Sequence, residues 1–468
     1  MSTGGFKLLF LLMMGAGLPV AIAMAGASLI YVLLTGSTPS FVVIHRMVGG
    51  IDSFPLLAVP FFVLAGNLMN SAGITTRIYN FALALVGWAK GGLGHVNIVG
   101  SVVFAGMSGT AIADAAGLGT IEIKAMREHG YEAEFAVGVT AASATLGPII
   151  PPSLPFVIYG MFANVSVGAL FLAGVMPGLV LTVMMMATVA WFAHRRGWGG
   201  DVPWHWPRVR KAFVELAVVA GIPAALWAGT ARGGVPIVWT LPLAAAALLW
   251  ADRHFRFNAV LPIMTPVLLI GGMTTGLFTA TEGAIAACVW ALFLGAVWYR
   301  TLGWRLLVKA TMDTVETTST VLFIVAAASI FGWMLTATRT TEMLAQWILM
   351  FADESWKFLL LANALMLFVG CFLEPTAAIT ILVPILLPIA QRLGIDPVHF
   401  GLVMVLNLMI GLLHPPMGLV LFVLARVAKL SVERTTMAIL PWLVPLLLSL
   451  ALVTFVPAIS LWLPRALH

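Results

Sequence analysis

An all-α polytopic membrane protein is the fold class this sequence predicts, arranged as two inverted-topology repeats with two re-entrant hairpins and broken helices. Three observations predict it. The composition is 61% hydrophobic and 9% charged, with a mean hydropathy of +1.05, which is more apolar surface than a water-soluble core can hide. Two G-x-x-x-P-P segments, Gly147 to Pro152 and Gly411 to Pro416, stand 264 residues apart, each a doubled proline inside a would-be membrane helix. Landmarks around them recur at nearly the same offset: Gly66 and Gly332, Asn97 and Asn363, and Thr110-Ala111 and Thr376-Ala377 by 266, Phe135 and Phe400 and Ser166-Val167 and Ser431-Val432 by 265, Pro177 and Pro441 by 264. An ordered series with near-constant offset marks an internal duplication. Paired, proline-broken hydrophobic segments point to the binding site of a secondary transporter.

A spanning helix needs about 20 mainly apolar residues. The first run, about 8–34, begins after Lys7 and is too long for the h-region of a signal peptide, so it reads as the first spanning helix. Further spans are expected at about 55–72, 134–163, 168–193, 282–299, 313–337, 398–425 and 436–458, with shorter or interrupted ones at 216–229, 236–251 and 262–278. Asp313 and Glu316 then flank a helix start as N-terminal charges. Cys288 and Cys371 lie in separate apolar stretches without metal-ligand spacing and read as inert thiols. Gly271 to Gly276 has the glycine spacing of a phosphate loop but lacks its lysine, which excludes ATP hydrolysis by this route.

The basic residues orient the chain. With 24 Lys and Arg against 18 Asp and Glu, the net charge is +6, and these residues sit at the ends of apolar runs rather than in a nucleic-acid-binding patch. The cluster Arg195, Arg196, Arg208, Arg210 and Lys211 places its loop in the cytoplasm, and Lys124, Arg127 and His129 follow. The 161–168 turn is neutral, whereas its counterpart carries Arg426, Lys429 and Arg434. One structural turn, neutral in one half and basic in the other, is what inverted repeats predict. His45 and Arg46 fall outside in this scheme and run against it.

Between Lys90 and Lys124 the chain is too long for one helix and too rich in Gly, Ser and Ala for two. It reads as a re-entrant hairpin over about 91–125 with its tip near Met107-Ser108-Gly109-Thr110. Its counterpart spans about 358–391 with its tip near Glu374-Pro375-Thr376. Such tips carry unpaired carbonyls for a cation and helix N-termini for an anion, provided protein or a wet cavity covers them. Glu374 stands out, because an ionisable group at membrane depth is functional by default. Asp114 reads equally as a site residue or an interfacial charge on a hairpin arm. His414 reads as a pH-sensitive ligand or as cavity lining, and Asn67 and Asn407 as ligands or as ties between helices.

The runs Gly106-Met107-Ser108-Gly109-Thr110-Ala111-Ile112-Ala113-Asp114, Thr140 to Ser153, Asn407 to Leu413 and Phe54 to Phe62 resemble the large membrane subunit (DctM-type permease) of tripartite ATP-independent periplasmic (TRAP) transporters. The likeness covers the chain apart from about 212–262. The resemblance implies an elevator-type carrier in the bacterial inner membrane. Its partners would be a small membrane subunit and a periplasmic substrate-binding protein, and a sodium gradient would drive uptake of an organic acid without any cofactor. It implies cation sites at Gly106, Ser108 and Thr110 with Ser143, Thr145, Gly147 and Pro148, and at Glu374, Pro375 and Thr376 with Asn407, Gly411 and Pro415. The expected substrate contacts are Asp114, Ser108, Glu374 and His414. Two departures from the pattern stand out: Glu374 where Asp is usual, which adds a methylene, and His414 where Thr is more usual.

The domain reading is a first repeat over 1–193, a cytoplasmic linker with an extra pair of short apolar segments over 194–262, and a second repeat over 263–468. A stand-alone sodium- or proton-coupled carboxylate symporter is the alternative within transport. A channel or an intramembrane enzyme is the alternative from another class, although no H-E-x-x-H or Ser/His pair supports an enzyme.

Overall fold

The structure is a computed structural model that describes residues 3–36, 38–233, 237–255, 257, 259–274, 277–414 and 418–467. Among the described residues it is helical throughout, and the only β pairing is an isolated bridge between Lys90 and Gly200. Among the described residues, six helices are long and apolar enough to cross a membrane: Phe54–Ser71 (opening with a 3-10 turn), Val167–Arg196, Ala280–Trp298, Trp304–Ala337, Pro375–Arg392 and Val432–Phe455. At 1.5 Å per residue, the 34 residues of Trp304–Ala337 reach about 50 Å, well beyond a hydrocarbon core of about 30 Å.

Several sequence boundaries need correction. The run at 8–34 is two helices, Thr3–Gly15 and Val20–Thr35, because Gly17 takes a left-handed φ of 84° and Pro19 cannot donate to a continuing helix. The helix expected from 313 begins at Trp304, so Asp313 and Glu316 lie on the exposed face of its interior and not at its N-terminus. The pair read as short segments is two full helices, Trp206–Gly233 and Ile237–Phe255. Four helices were not expected: Phe41–Ile51, Ile74–Val86, Thr340–Phe351 and Ala458–Leu467. All are short, and their mixed faces hide them from a search for long apolar runs.

Corresponding places in the two halves are built alike. The helix before each marked turn is capped by a left-handed residue at φ 55°, Asn164 and Lys429, and Ser166 and Ser431 then cap the next helix by accepting from the amides of Ala169 and Arg434. Gly73 and Arg339, again 266 apart, both take left-handed N-cap conformations. The halves share one core. Ala133–Ala144 packs on Val432–Phe455 where Gly138 meets the Trp442 ring, and Tyr159 lies over Gly401 while its hydroxyl donates to the Pro397 carbonyl at 2.7 Å. Around that core the outer surface is apolar, with Trp304, Met350, Phe351, Met437 and Val183 exposed, as a lipid-facing surface requires.

One loop binds the entrance of the first hairpin. Gly91 donates to the Gly199 carbonyl at 2.9 Å, Asp201 and Val202 both donate to the Gly87 carbonyl, and the Asp201 carboxylate accepts from the Leu93 amide at 2.8 Å and the Tyr131 hydroxyl at 2.6 Å. Arg196 and Glu132 pair across the same junction at 2.6 Å.

Candidate functional site

The first hairpin rises as Gly92–Ser108, turns at Gly109 (φ 63°) and continues as Ala111–Ala116 and Leu118–Glu128. Thr110 caps the second arm by accepting from the Ala113 amide. Facing it, Ala133–Ala144 stops where Pro148, Pro151 and Pro152 remove three donors, and Leu154–Ala163 restarts with Ser153 as N-cap. The fit at the tip is backbone against backbone. A Cβ on Gly147 would lie 3.0 Å from the Thr110 carbonyl oxygen, and one on Gly109 would lie 2.9 Å from that of Pro152. From the other side Gly66 packs on the backbone of Met107 and Ser108.

The second hairpin comprises Ser355–Gly370 and Pro375–Arg392. Glu374 is the N-cap of the second arm, and its carboxylate accepts from the Ala377 amide at 3.3 Å and the Thr376 hydroxyl at 2.9 Å. Its facing helix, Pro397–Gly411, ends at Gly411 with Leu412 as C-cap, and the chain resumes helix as Leu419–Ala428. Here the approach is tighter still, since a Cβ on Gly411 would sit 2.7 Å from the Gly370 Cα.

Both tips and both breaks border one crevice of about 40 Å³, lined among others by Thr110, Pro148, Glu374, Pro375, Thr376 and Met409. That is room for an ion or a water, which needs about 10–15 Å³, and not for an organic acid in this conformation. Of the sequence-derived residues, the crevice therefore unites Thr110 and Pro148 with Glu374, Pro375 and Thr376, and Gly147 lies directly behind Thr110. Gly106 is packed against the Pro266 ring, and Thr145 donates to the Ala142 carbonyl. Pro415 lies outside the described residues. His414 sits beside Cys371, with Nδ1 3.4 Å from Sγ, and does not line the crevice.

Behind each tip lies a polar tie of matching design. In the first half Ser143 donates to Asn97 Oδ1 at 2.7 Å, and in the second Asn407 donates to Asn363 Oδ1 at 2.6 Å. Asn97 and Asn363 are 266 apart, Ser143 and Asn407 264. The first tie extends further: Asn97 donates to Glu122 Oε2 and to the Thr140 hydroxyl, both at 2.7 Å, and Ser101 donates to Ser143 at 3.1 Å. Asp114 belongs to this region and not to the crevice. Its carboxylate oxygens are buried, with Ser101 close by and no other partner among the described residues. Glu122 went unnoticed in the sequence because it sits among the charged residues of an apparent helix end. The signal that could have found it is its place in the same short arm as Asp114.

Two buried oxygens, Ser108 Oγ in the first half and Asn407 Oδ1 in the second, have no partner among the described residues. Buried polar atoms are normally satisfied, so an unpaired oxygen on each side is chemistry suited to a hard cation. Removing the tip hydroxyls in a Ser108→Ala/Thr376→Val double variant is expected to weaken cation binding by about 1–3 kcal/mol per lost ligand. Expression should change little. Unaltered sodium dependence of uptake would place the sites elsewhere.

The family description "Tripartite ATP-independent periplasmic transporter, DctM component" matches residues 7–459. The chain is 43% identical over 454 residues to the sialic acid TRAP transporter large permease protein SiaM of Vibrio cholerae, covering 96% of this chain and 95% of that one. It is 33% identical over 476 residues to the C4-dicarboxylate TRAP transporter large permease protein DctM of Rhodobacter capsulatus, covering 99% and 98%. It is 38% identical to the sialic acid TRAP transporter permease protein SiaT of Haemophilus influenzae, covering 98% of this chain and 68% of that longer protein. In fold it is similar to the Alcanivorax borkumensis YdaH transporter, with a TM-score of 0.57, 13% identity and 91% and 88% of the two chains covered.

Proposed function

As this chain belongs to the DctM family of tripartite ATP-independent periplasmic transporters, and is the multi-pass large permease subunit of the inner membrane, we propose that it imports a small organic acid driven by a sodium gradient. A small membrane subunit completes the permease, and a periplasmic binding protein delivers the substrate, as in the family. Relatives carry names for sialic acid, for C4-dicarboxylates and for isethionate, a sulfonate, so an organic anion is the chemistry the substrates share. The observation that carries the reading is the convergence of both tips and both helix breaks on one crevice holding Glu374. Sodium is preferred to a proton because the uncharged oxygens at Ser108 and Asn407 suit a hard cation, whereas the titratable carboxylates of Asp114 and Glu122, which also keep unpaired oxygens among the described residues, lie away from the crevice. Uptake into proteoliposomes containing the complete transporter should rise with an inward sodium gradient at equal pH. Uptake that follows a pH gradient and ignores sodium would reverse the assignment.

The proposed arrangement is two inverted repeats moving substrate by an elevator motion, a hairpin and a broken helix travelling together from each half. Its support is the matching caps at 164–166 and 429–431, the matching asparagine ties, and the contrast between a neutral turn and a basic one. With Cys288 and Cys371 replaced, single cysteines at Asn164 and Ser431 should label from opposite sides of the membrane. An impermeant thiol reagent on spheroplasts should reach position 164 and spare 431. Labelling of both from one side contradicts the inverted arrangement.

A further inference from the structure

A second cavity, of about 760 Å³, lies far from the crevice in both sequence and chemistry, and is lined by Arg77, Asp252, Arg253, Trp298, Tyr299 and Arg300 among others. We propose that it is a binding site for the phosphodiester headgroup of an anionic membrane phospholipid, between the helices Ile74–Val86, Ile237–Phe255 and Ala280–Trp298.

The site is built rather than incidental. The helix Ala280–Leu292 changes to a π-helical turn over Phe293–Trp298, a distortion that occurs mostly at functional places. Directly after it, Arg300 takes a left-handed φ of 55°, which favours glycine or asparagine over a long side chain. The strained loop is held in place: Thr301 and Leu302 donate to the Gly295 carbonyl, and the Thr301 hydroxyl donates to Ala72 at 2.7 Å. The chain thus keeps an arginine where its backbone is unfavourable. Within the cavity Trp298 donates to Asp252 Oδ2 at 2.8 Å, and the Arg77 guanidinium lies 3.9 Å over the Tyr299 ring. Two buried polar atoms remain unpaired among the described residues, the Tyr299 hydroxyl and Asp252 Oδ1.

Charge and surroundings identify the ligand class. Three arginines face one aspartate, leaving the lining two positive charges in excess. Guanidinium forks match phosphate geometry, and the Tyr299 hydroxyl can donate as well. Val297 lines the cavity and is exposed, and exposed Phe255 stacks on the lining residue Phe257, so a molecule seated there has apolar and aromatic surface beside it for its tails. Basic pockets between transmembrane helices on the cytoplasmic side bind such headgroups, and Arg253 sits at the helix end that the positive-inside rule assigns to the cytoplasm.

The test is native mass spectrometry of the purified transporter, with and without its small subunit, after delipidation and titration with phosphatidylglycerol, cardiolipin, phosphatidylethanolamine or inorganic phosphate. Arg253 and Arg300 are exposed, so Arg253→Gln/Arg300→Gln should fold. Phosphatidylglycerol or cardiolipin should bind the parent protein and lose roughly fivefold in affinity per arginine removed. A conservative Arg253→Lys/Arg300→Lys variant should recover part of that loss. Equal binding by parent and Gln variant overturns the site. Equal affinity for phosphatidylethanolamine overturns the preference for an anionic lipid, and saturation by inorganic phosphate alone overturns a lipid as the source. Loss of lipid binding whenever the small subunit is present assigns the cavity to a protein partner instead. Since none of these readings depends on transport, failure here leaves the sodium-coupling reading standing.

Discussion

Replacing Gly411 with alanine should abolish uptake, lowering it by two orders of magnitude or more. A single methyl there would lie 2.7 Å from the Gly370 Cα and 2.8 Å from its carbonyl carbon. Backbone cannot rotate aside as a side chain can, so the first arm of the second hairpin and its facing broken helix must separate. Overpacking of this kind costs about 1–3 kcal/mol in stability, and a displacement near 1 Å at a working site can cost 10²-fold in rate. Gly15→Ala, where nothing lies within 4 Å, is the matched control. Thermal unfolding and uptake measured on the same preparations separate the two effects. Uptake at the parental rate by Gly411→Ala would show that this contact does not position the site.

Glu374→Gln should remove sodium-driven uptake almost as completely while leaving the protein folded. The one oxygen of the amide can still accept from the Ala377 amide while its NH2 donates to the Thr376 hydroxyl, so the helix start survives. The charge does not. A unit charge about 4 Å from a monovalent cation is worth about 4 kcal/mol at an effective dielectric constant near 20, on the order of 10³-fold in affinity. Glu374→Asp keeps the charge on an arm one methylene shorter and should retain measurable uptake, with a raised sodium requirement. Unchanged sodium dependence in Glu374→Gln would remove the carboxylate from the coupling site. The same substitution read against pH also tests the proton alternative.

The features legible in the sequence are those written as covalent constraints. The prolines at 148, 151 and 152 locate the first break because they cannot donate, and the glycines at 109 and 147 locate the first tip because one turns left-handed and the other lies against the Thr110 carbonyl; the residue numbers expected for both tips are where the helices end. The membrane class follows from composition for a similarly direct reason. Less legible was anything decided by three-dimensional partners. Asp114 reads equally as a site residue or an interfacial charge on a hairpin arm, yet it lies buried with Ser101, beside the tie that joins Asn97, Glu122, Thr140 and Ser143. The start at Trp304 was missed because Arg305 and Lys309 look like the end of a loop, whereas long basic side chains on a helix simply extend past the apolar slab. Thr3–Gly15 and Val20–Thr35 merged into one run because hydropathy is blind to a four-residue break.

The loop at 197–202, clasped to residues 87–93, makes the chain enter and leave the first hairpin unit at a single place. Everything from Gly91 to Gly199, including the first tip, its facing break and the long helix Val167–Arg196, is strung between two neighbouring points rather than between distant ones. A segment whose ends meet can be lifted out and replaced without respacing its connections. Exchanges of cassettes between related permeases should therefore be cut at the clasp, keeping Tyr131 and Asp201 from the same parent so that their bond is not split across the seam.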